Sequence, residues 1–180
     1  MLRLIKVGVL ALLLGMLLQA VTLEKLSLPD MAQVSTAIVR ARITGIYGAA
    51  QGPLIYTHYQ LQVAERWKGA EAATLDIVVP GGTANGLRQS FAGTPKLIVG
   101  REYVLFLWTG PSGRTHITGL SQGVFNLAND AQGQTVASRA ASAEVMLDSA
   151  GRPAHEDAVT LKLTDLRNQV SRALAEGGRK

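Results

Sequence analysis

Three groups of residues have types and spacings that could do chemistry, and each demands its own local structure. Gly119-Leu120-Ser121-Gln122-Gly123 satisfies the G-x-S-x-G pattern, and Asp148 and His155 follow in the chain order of an α/β-hydrolase triad. Such a serine needs a sharp strand-to-helix turn above a parallel sheet, with backbone N–H groups beside it for an oxyanion. After Gly123, however, Val124, Phe125, Asn126, Leu127, Ala128 and Asn129 alternate as a strand. A Gly-bounded hairpin turn is therefore expected at Ser121, and no catalytic residue is assigned.

The second group is histidine. His58, His116 and His155 are the only three, and none stands three or four residues from another. A zinc site gathers three or four ligands, so no metal and no cofactor is expected, and His155-Glu156-Asp157 reads as a solvated run.

The third group could bind rather than react. In residues 54–69, Ile55, Thr57, Tyr59, Leu61 and Val63 alternate with Tyr56, His58, Gln60, Gln62 and Ala64. The apolar set suits an interior, which leaves Tyr56, His58, Gln60 and Gln62 facing outward, as a solvated sheet face or a shallow protein-binding face. Downstream, Gly81, Gly82 and Gly86 permit a tight loop, and Arg88 could hold a carboxylate or phosphate. The loop lacks the Lys-Ser/Thr of a phosphate loop, so a turn at a barrel rim is expected.

The elements that must position these groups are mostly strands. Ser27 with Pro29 and Asp30 predicts a short helix. From Thr36 the period becomes two, with Ala37, Val39, Ala41 and Ile43 on one side, until residues 45–53, with three glycines and a proline, break the strand. The long strand of residues 54–69 follows, then "TLDIVVP", "LRQSFAG" and "REYVLFLW". In the last of these both alternating sets are apolar, so something must pack on both of its faces. "RTHITGL" and "GVFNLAN" come at hairpin spacing, and an edge strand is expected near residues 135–138. Residues 139–158 read as a linker, and Leu163, Leu166, Val170 and Leu174 form one helical stripe behind Thr164 as cap. Docking of this terminal helix on the strands is expected.

Composition bounds the rest. Arg3 and Lys6 precede twelve residues without charge, Val7 to Leu18, which predicts an exported leader over residues 1–20. Cleavage after Leu18-Gln19-Ala20 and retention as an anchor both fit; membrane contact is expected only if residues 1–20 stay attached. Removal would leave 160 of the 180 residues and lower the net charge from +5 to +3. So mild and scattered a balance, with no row of aromatics of the kind that stacks bases, argues against nucleic acid. With no cysteine there is no lipid anchor on sulfur, no disulfide and no thiolate metal site.

The order of these segments, from the Pro-containing helix through "TAIVRARITGI", "THYQLQVAERWKG", "LDIVVPGG" and "LIVGREYVLFLWTGPSGRTHITG", resembles the netrin-like, tissue-inhibitor-of-metalloproteinases type of domain, and also bacterial exported proteins of that pattern. The resemblance covers about residues 28–128. With the strand pattern it implies an all-β protein with minor helices: a small closed OB-like Greek-key barrel over residues 28–139 with a short N-terminal helix, to which the residue pattern adds linker and C-terminal helix over residues 140–180. It further implies a non-enzymatic protein-binding module that could modulate a protease, and the leader makes that module secreted or periplasmic. Inhibitors of that type chelate zinc through a stapled N-terminal cysteine, which this chain lacks; its segment ahead of the helix is expected to be free. An oligosaccharide- or nucleic-acid-binding barrel is the alternative, and a hydrolase around Ser121 the second.

Overall fold

The computed structural model describes residues 23–142, 144–155 and 157–178. The expected leader, residues 1–20, lies outside the described residues. The described residues are mostly β, with two α-helices and one eight-stranded sheet. A pair of residues, β1 (Leu23–Glu24), precedes helix α1 (Leu28–Val34). Ser27 caps α1 reciprocally: its Oγ accepts from the Asp30 N–H at 3.2 Å, and Asp30 accepts the Ser27 N–H at 3.3 Å.

Strands β2 (Ala37–Gln51) and β3 (Leu54–Lys68) then form a 15-residue antiparallel arm. The strand expected to break at Gly45 thus runs on to Gln51. Its glycines are bare backbone inside the strand: Gly45 sits at a bulge opposite Gln60, and Gly48 yields space to the Thr83 carbonyl. β4 (Thr74–Pro80) pairs with β3, and β5 (Gly82–Ala84) with β6 (Leu87–Gln89) makes a small hairpin of its own.

The next strand, β7 (Glu102–Thr109), pairs along one edge with β2. Its other edge takes β8 (Thr115–Ile117) opposite residues 107–109 and β9 (Val124–Asn129) opposite residues 103–105. β8 and β9 therefore do not form the expected hairpin; they lie end to end, both antiparallel to β7. The 3₁₀ turn Leu120–Gly123 between them, entered through Gly119 at φ 64° and Leu120 at φ 55°, is an excursion rather than a reversal. β8 also makes a parallel bridge to β4 at Val78 and His116, so the pairings run β7-β2-β3-β4-β8 and return to β7.

Beyond β9 the sheet continues through β10 (Thr135–Arg139) to β13 (Val159–Lys162). The stretch read as a linker, residues 139–158, carries the last residue of β10 and then β11 (Met146–Leu147) and β12 (Pro153–Ala154), with β13 starting directly after it. Met146, fully buried, is the apolar anchor that Ala-, Ser- and Gly-rich surroundings obscured. β1 pairs with β11 through Leu23 and Met146, so the described part of the segment ahead of α1, from residue 23, is held rather than free. The fully buried Gln122 fastens it further, accepting from the Leu26 N–H and donating to the Glu24 carbonyl, both at 2.8 Å. Helix α2 (Leu163–Gly177) follows β13 directly; Lys162 occupies the cap position and Thr164 lies within the first turn, because no loop intervenes to hold a capping side chain.

Two apolar layers share strands β2 and β7. One set of their side chains, including Val39, Ala41, Ile43, Tyr103, Leu105 and Leu107, meets Tyr59, Leu61, Ile77 and Val79 of β3 and β4. The alternate set, Ile38, Val104 and Phe106, meets Phe125, Ala137 and the buried faces of α1 and α2. This second layer is what covers the outer face of the all-apolar strand, with Leu166, Val170 and Ala173 of α2 at its centre. Lys68 joins the layers by donating to the Ala32 and Gln33 carbonyls at the end of α1, at 2.8 and 2.7 Å.

Candidate functional site

Strand register assembles a row that no single segment contains. Tyr47 of β2 pairs with His58 of β3, His58 with Val78 of β4, Val78 with His116 of β8, and His116 with Trp108 of β7. Paired residues share a face. These side chains therefore form one band across five strands, on the face opposite the Tyr59 and Leu61 core.

The rings engage one another. Tyr47 and His58 are stacked, with centroids 4.5 Å apart and planes 13° apart. The Asp76 carboxylate holds both: it accepts from Tyr47 Oη at 3.2 Å and lies 2.7 Å from His58 Nδ1. Desolvation first, and Asp76 second, raise the Tyr47 hydroxyl above its ordinary pKa. Tyr56 meets His116 edge-on at 6.4 Å, and Trp108 tilts against His116 at 6.3 Å. Burial, then the Arg114 charge, hold His116 below the usual histidine range, so it stays a neutral ring near neutral pH. The Arg114 guanidinium stands 5.5 Å above the Tyr56 ring and also contacts Gln51. It thereby brings the loop of residues 110–114 to the tip of the β2–β3 arm. Val78 is only 3% exposed beneath this band, whereas Tyr47 and Trp108 are 46% and 43% exposed.

Of the residues singled out from the sequence, Tyr56 and His58 lie in this band, and Gln60 and Gln62 extend it along β3, both exposed. Gly81, Gly82 and Arg88 lie elsewhere. They line a separate cleft of about 220 Å³ with Thr57, Tyr59, Phe91 and Lys96, on the other side of β3. Gly81 and Gly82 have φ of 92° and 128°, and Thr57 Oγ1 donates to the Gly81 carbonyl at 2.8 Å. The two candidate surfaces are thus back to back, not one site.

Ser121 sits on the 3₁₀ turn and lines a cavity of about 300 Å³ with Lys96, Asn126, Arg139 and Glu144. Its Oγ is buried with no hydrogen-bond partner. Asp148 is occupied in its own turn, accepting from the Ala150 and Arg152 N–H groups at 2.9 Å and pairing with the Arg152 guanidinium at 2.7 Å. No hydrogen bond among the described residues links Ser121, Asp148 and His155. Nor do the described residues contain a group of three metal-ligating side chains.

No row of aromatics is legible along any one segment of the sequence, and it is the register that brings Tyr47, His58, His116 and Trp108 into one band. Tyr47, Asp76, Trp108 and Arg114 were missed because they come from four separate strands and loops. The available signal was Trp108, which alternates with Val104 and Phe106 but lies past the part of β7 that β9 covers. Compared with known proteins, this chain matches no family model, no curated protein and no solved structure.

Proposed function

We propose that this is an extracytoplasmic, non-enzymatic module that binds another protein through the aromatic face of a closed, OB-like Greek-key barrel. The return of the pairings to β7 supports the barrel reading. Numbering the ring from β2, its second and third strands are β3 and β4, and the arm tip and residues 110–114 are its first–second and fourth–fifth loops. Barrels of this kind bind through that face and those loops. The resemblance to netrin-like domains agrees with it, although inhibition through an N-terminal chelate is not part of the proposal.

The observation that carries the reading is the band itself, with Trp108 and Tyr47 left open and Arg114 over Tyr56. Trp, Tyr and Arg are the residue types that dominate protein-binding hot spots. The same rings favour a second reading, an oligosaccharide or single-stranded nucleic acid stacked along the face.

The test is recovery of partners from an extracytoplasmic fraction on tagged protein of residues 21–180, beside a Tyr56→Ala/Trp108→Ala variant. One protein recovered by the parent, and at least about 30-fold weaker on the variant, is expected from truncating hot-spot aromatics. Recovery of glycans, or binding to oligonucleotides that collapses with salt, would establish the second reading instead. Equal recovery by both forms would refute the face.

A further inference from the structure

We propose that residues 44–51 of β2 accept an extended, apolar segment of the partner as an added β-strand, clamped at its two ends by Arg101 and Arg114. This rests on the protein-binding reading above and extends it to an adjoining surface, which shares Tyr47 and Arg114 with the aromatic band.

β2 has two edges. β3 pairs with one of them from Ile38 to Gln51, but β7 covers the other only as far as Arg42. Ile43 still exchanges backbone hydrogen bonds with Gly100 and Arg101, at 2.8 and 3.0 Å. From residue 44 onward no strand among the described residues pairs with this edge; β5 approaches Gly48 on its face. The open length is about 26 Å for eight residues at about 3.3 Å each. Exposed edges are ordinarily blunted by lysine or proline. Residues 44–51, Thr-Gly-Ile-Tyr-Gly-Ala-Ala-Gln, contain no charge and no proline.

Apolar contact is available on both sides of an incoming strand. Ile46 and Tyr47 are 51% and 46% exposed, and adjacent strand residues point to opposite faces. Ile98 and Val99, 51% and 49% exposed, belong to the loop that hydrogen-bonds to Ile43 where the open edge begins. At each end stands a cation without an ion pair among the described residues: Arg101 beside Ile43, and Arg114 at Gln51. Arg40 and Arg42, by contrast, are matched by Glu65 and Glu102 at 2.7–2.8 Å. The fitting occupant is an apolar strand with acidic residues at both ends. A second copy fits worse, because antiparallel self-pairing would set Arg101 of one chain beside Arg114 of the other.

The test uses a labelled peptide of alternating valine and threonine, about eight residues long, with two aspartates at each end. It is titrated into protein of residues 21–180 by fluorescence anisotropy, and amide exchange is read residue by residue. Binding should slow exchange within residues 44–51. Ile46→Lys, at a position 51% exposed and with its fold checked by circular dichroism, should weaken binding at least tenfold by placing a charge on the edge. Arg101→Glu and Arg114→Glu should each weaken it about 2- to 10-fold, less at high salt. No binding at millimolar peptide, binding without protection of residues 44–51, or full binding by Ile46→Lys would overturn the proposal. So would a concentration-dependent dimer that Ile46→Lys abolishes. A natural partner recovered equally by Ile46→Lys but lost by Tyr56→Ala/Trp108→Ala would sink the edge and leave the aromatic face standing.

Discussion

Gly69 ends β3 at φ 98°, and a Cβ built there would lie 2.7 Å from the Thr36 carbonyl oxygen and 3.0 Å from Ala37 Cβ. Gly100 provides the matching control, with φ 87° and nothing within 4 Å of its Cβ position. Gly100→Ala therefore reports the backbone penalty alone, about 1–2 kcal/mol for an L-residue forced to positive φ. Gly69→Ala adds a collision with backbone atoms, which cannot rotate away as the end of a side chain would. An ordinary contact starts at 3.4 Å, so the start of β2 has to retreat by about 0.7 Å. That strand start is tethered, since the Thr36 N–H donates to the Leu107 carbonyl at 2.7 Å and Ile38 pairs with Lys68. Overpacking of this kind costs about 1–3 kcal/mol, giving about 2–5 kcal/mol in all for Gly69→Ala. At about 2–4 °C per kcal/mol for a chain of this size, calorimetry should place Gly100→Ala about 2–8 °C, and Gly69→Ala about 4–20 °C, below the parent. Equal melting of the two variants would refute the close approach of Gly69 to β2.

Two further substitutions test the interior and the charges. Arg40 hydrogen-bonds Glu102 through Nε and Nη2, at 3.1 and 2.8 Å, and this contact holds the Glu102 carboxyl below its ordinary value of 4.5. A depressed folded-state pKa stabilises fully above the unfolded value and is lost as pH falls through the folded one. Arg40→Met should then cost about 1–2 kcal/mol at neutral pH, discounted for partial exposure, and in urea titrations the gap to the parent should narrow as pH falls below the ordinary carboxyl value and through the lower folded-state one. A gap constant down to pH 2 would contradict the pairing. Ser121→Ala removes a buried hydroxyl that has no partner, so its unfolding free energy in urea titrations should stay level or rise, by up to about 1 kcal/mol; a loss of that size would reveal a hydrogen bond the geometry lacks.

What could be read from the sequence was whatever a single segment dictates. The alternation in residues 54–64 sent Ile55, Tyr59 and Leu61 into the core and His58 out of it, because one buried face enforces a period of two. The all-apolar β7 announced a second layer for the same reason, and Ser27 with Asp30 announced α1. Illegible were the features set by distant pairing. Gly45 and Gly48 looked like breakers because their opposite numbers, Gln60 and Thr83, are invisible locally. β8 and β9 looked like a hairpin because spacing does not distinguish a reversal from a detour along the same edge. Tyr47 and Trp108 entered the aromatic band only through a register spanning residues 47 to 116.

Strands β2 and β7 behave as a party wall between two rooms. Ile38 and Phe106 furnish one room while Val39 and Leu107 furnish the other, from neighbouring positions on the same backbone. Stripping away the last helix would therefore not leave a self-contained remnant: it would bare oily side chains on the reverse of the ladder that lines the opposite chamber. Both compartments should melt as one cooperative transition, and any attempt to trim the protein to a minimal ring would have to repaint that exposed wall with polar residues.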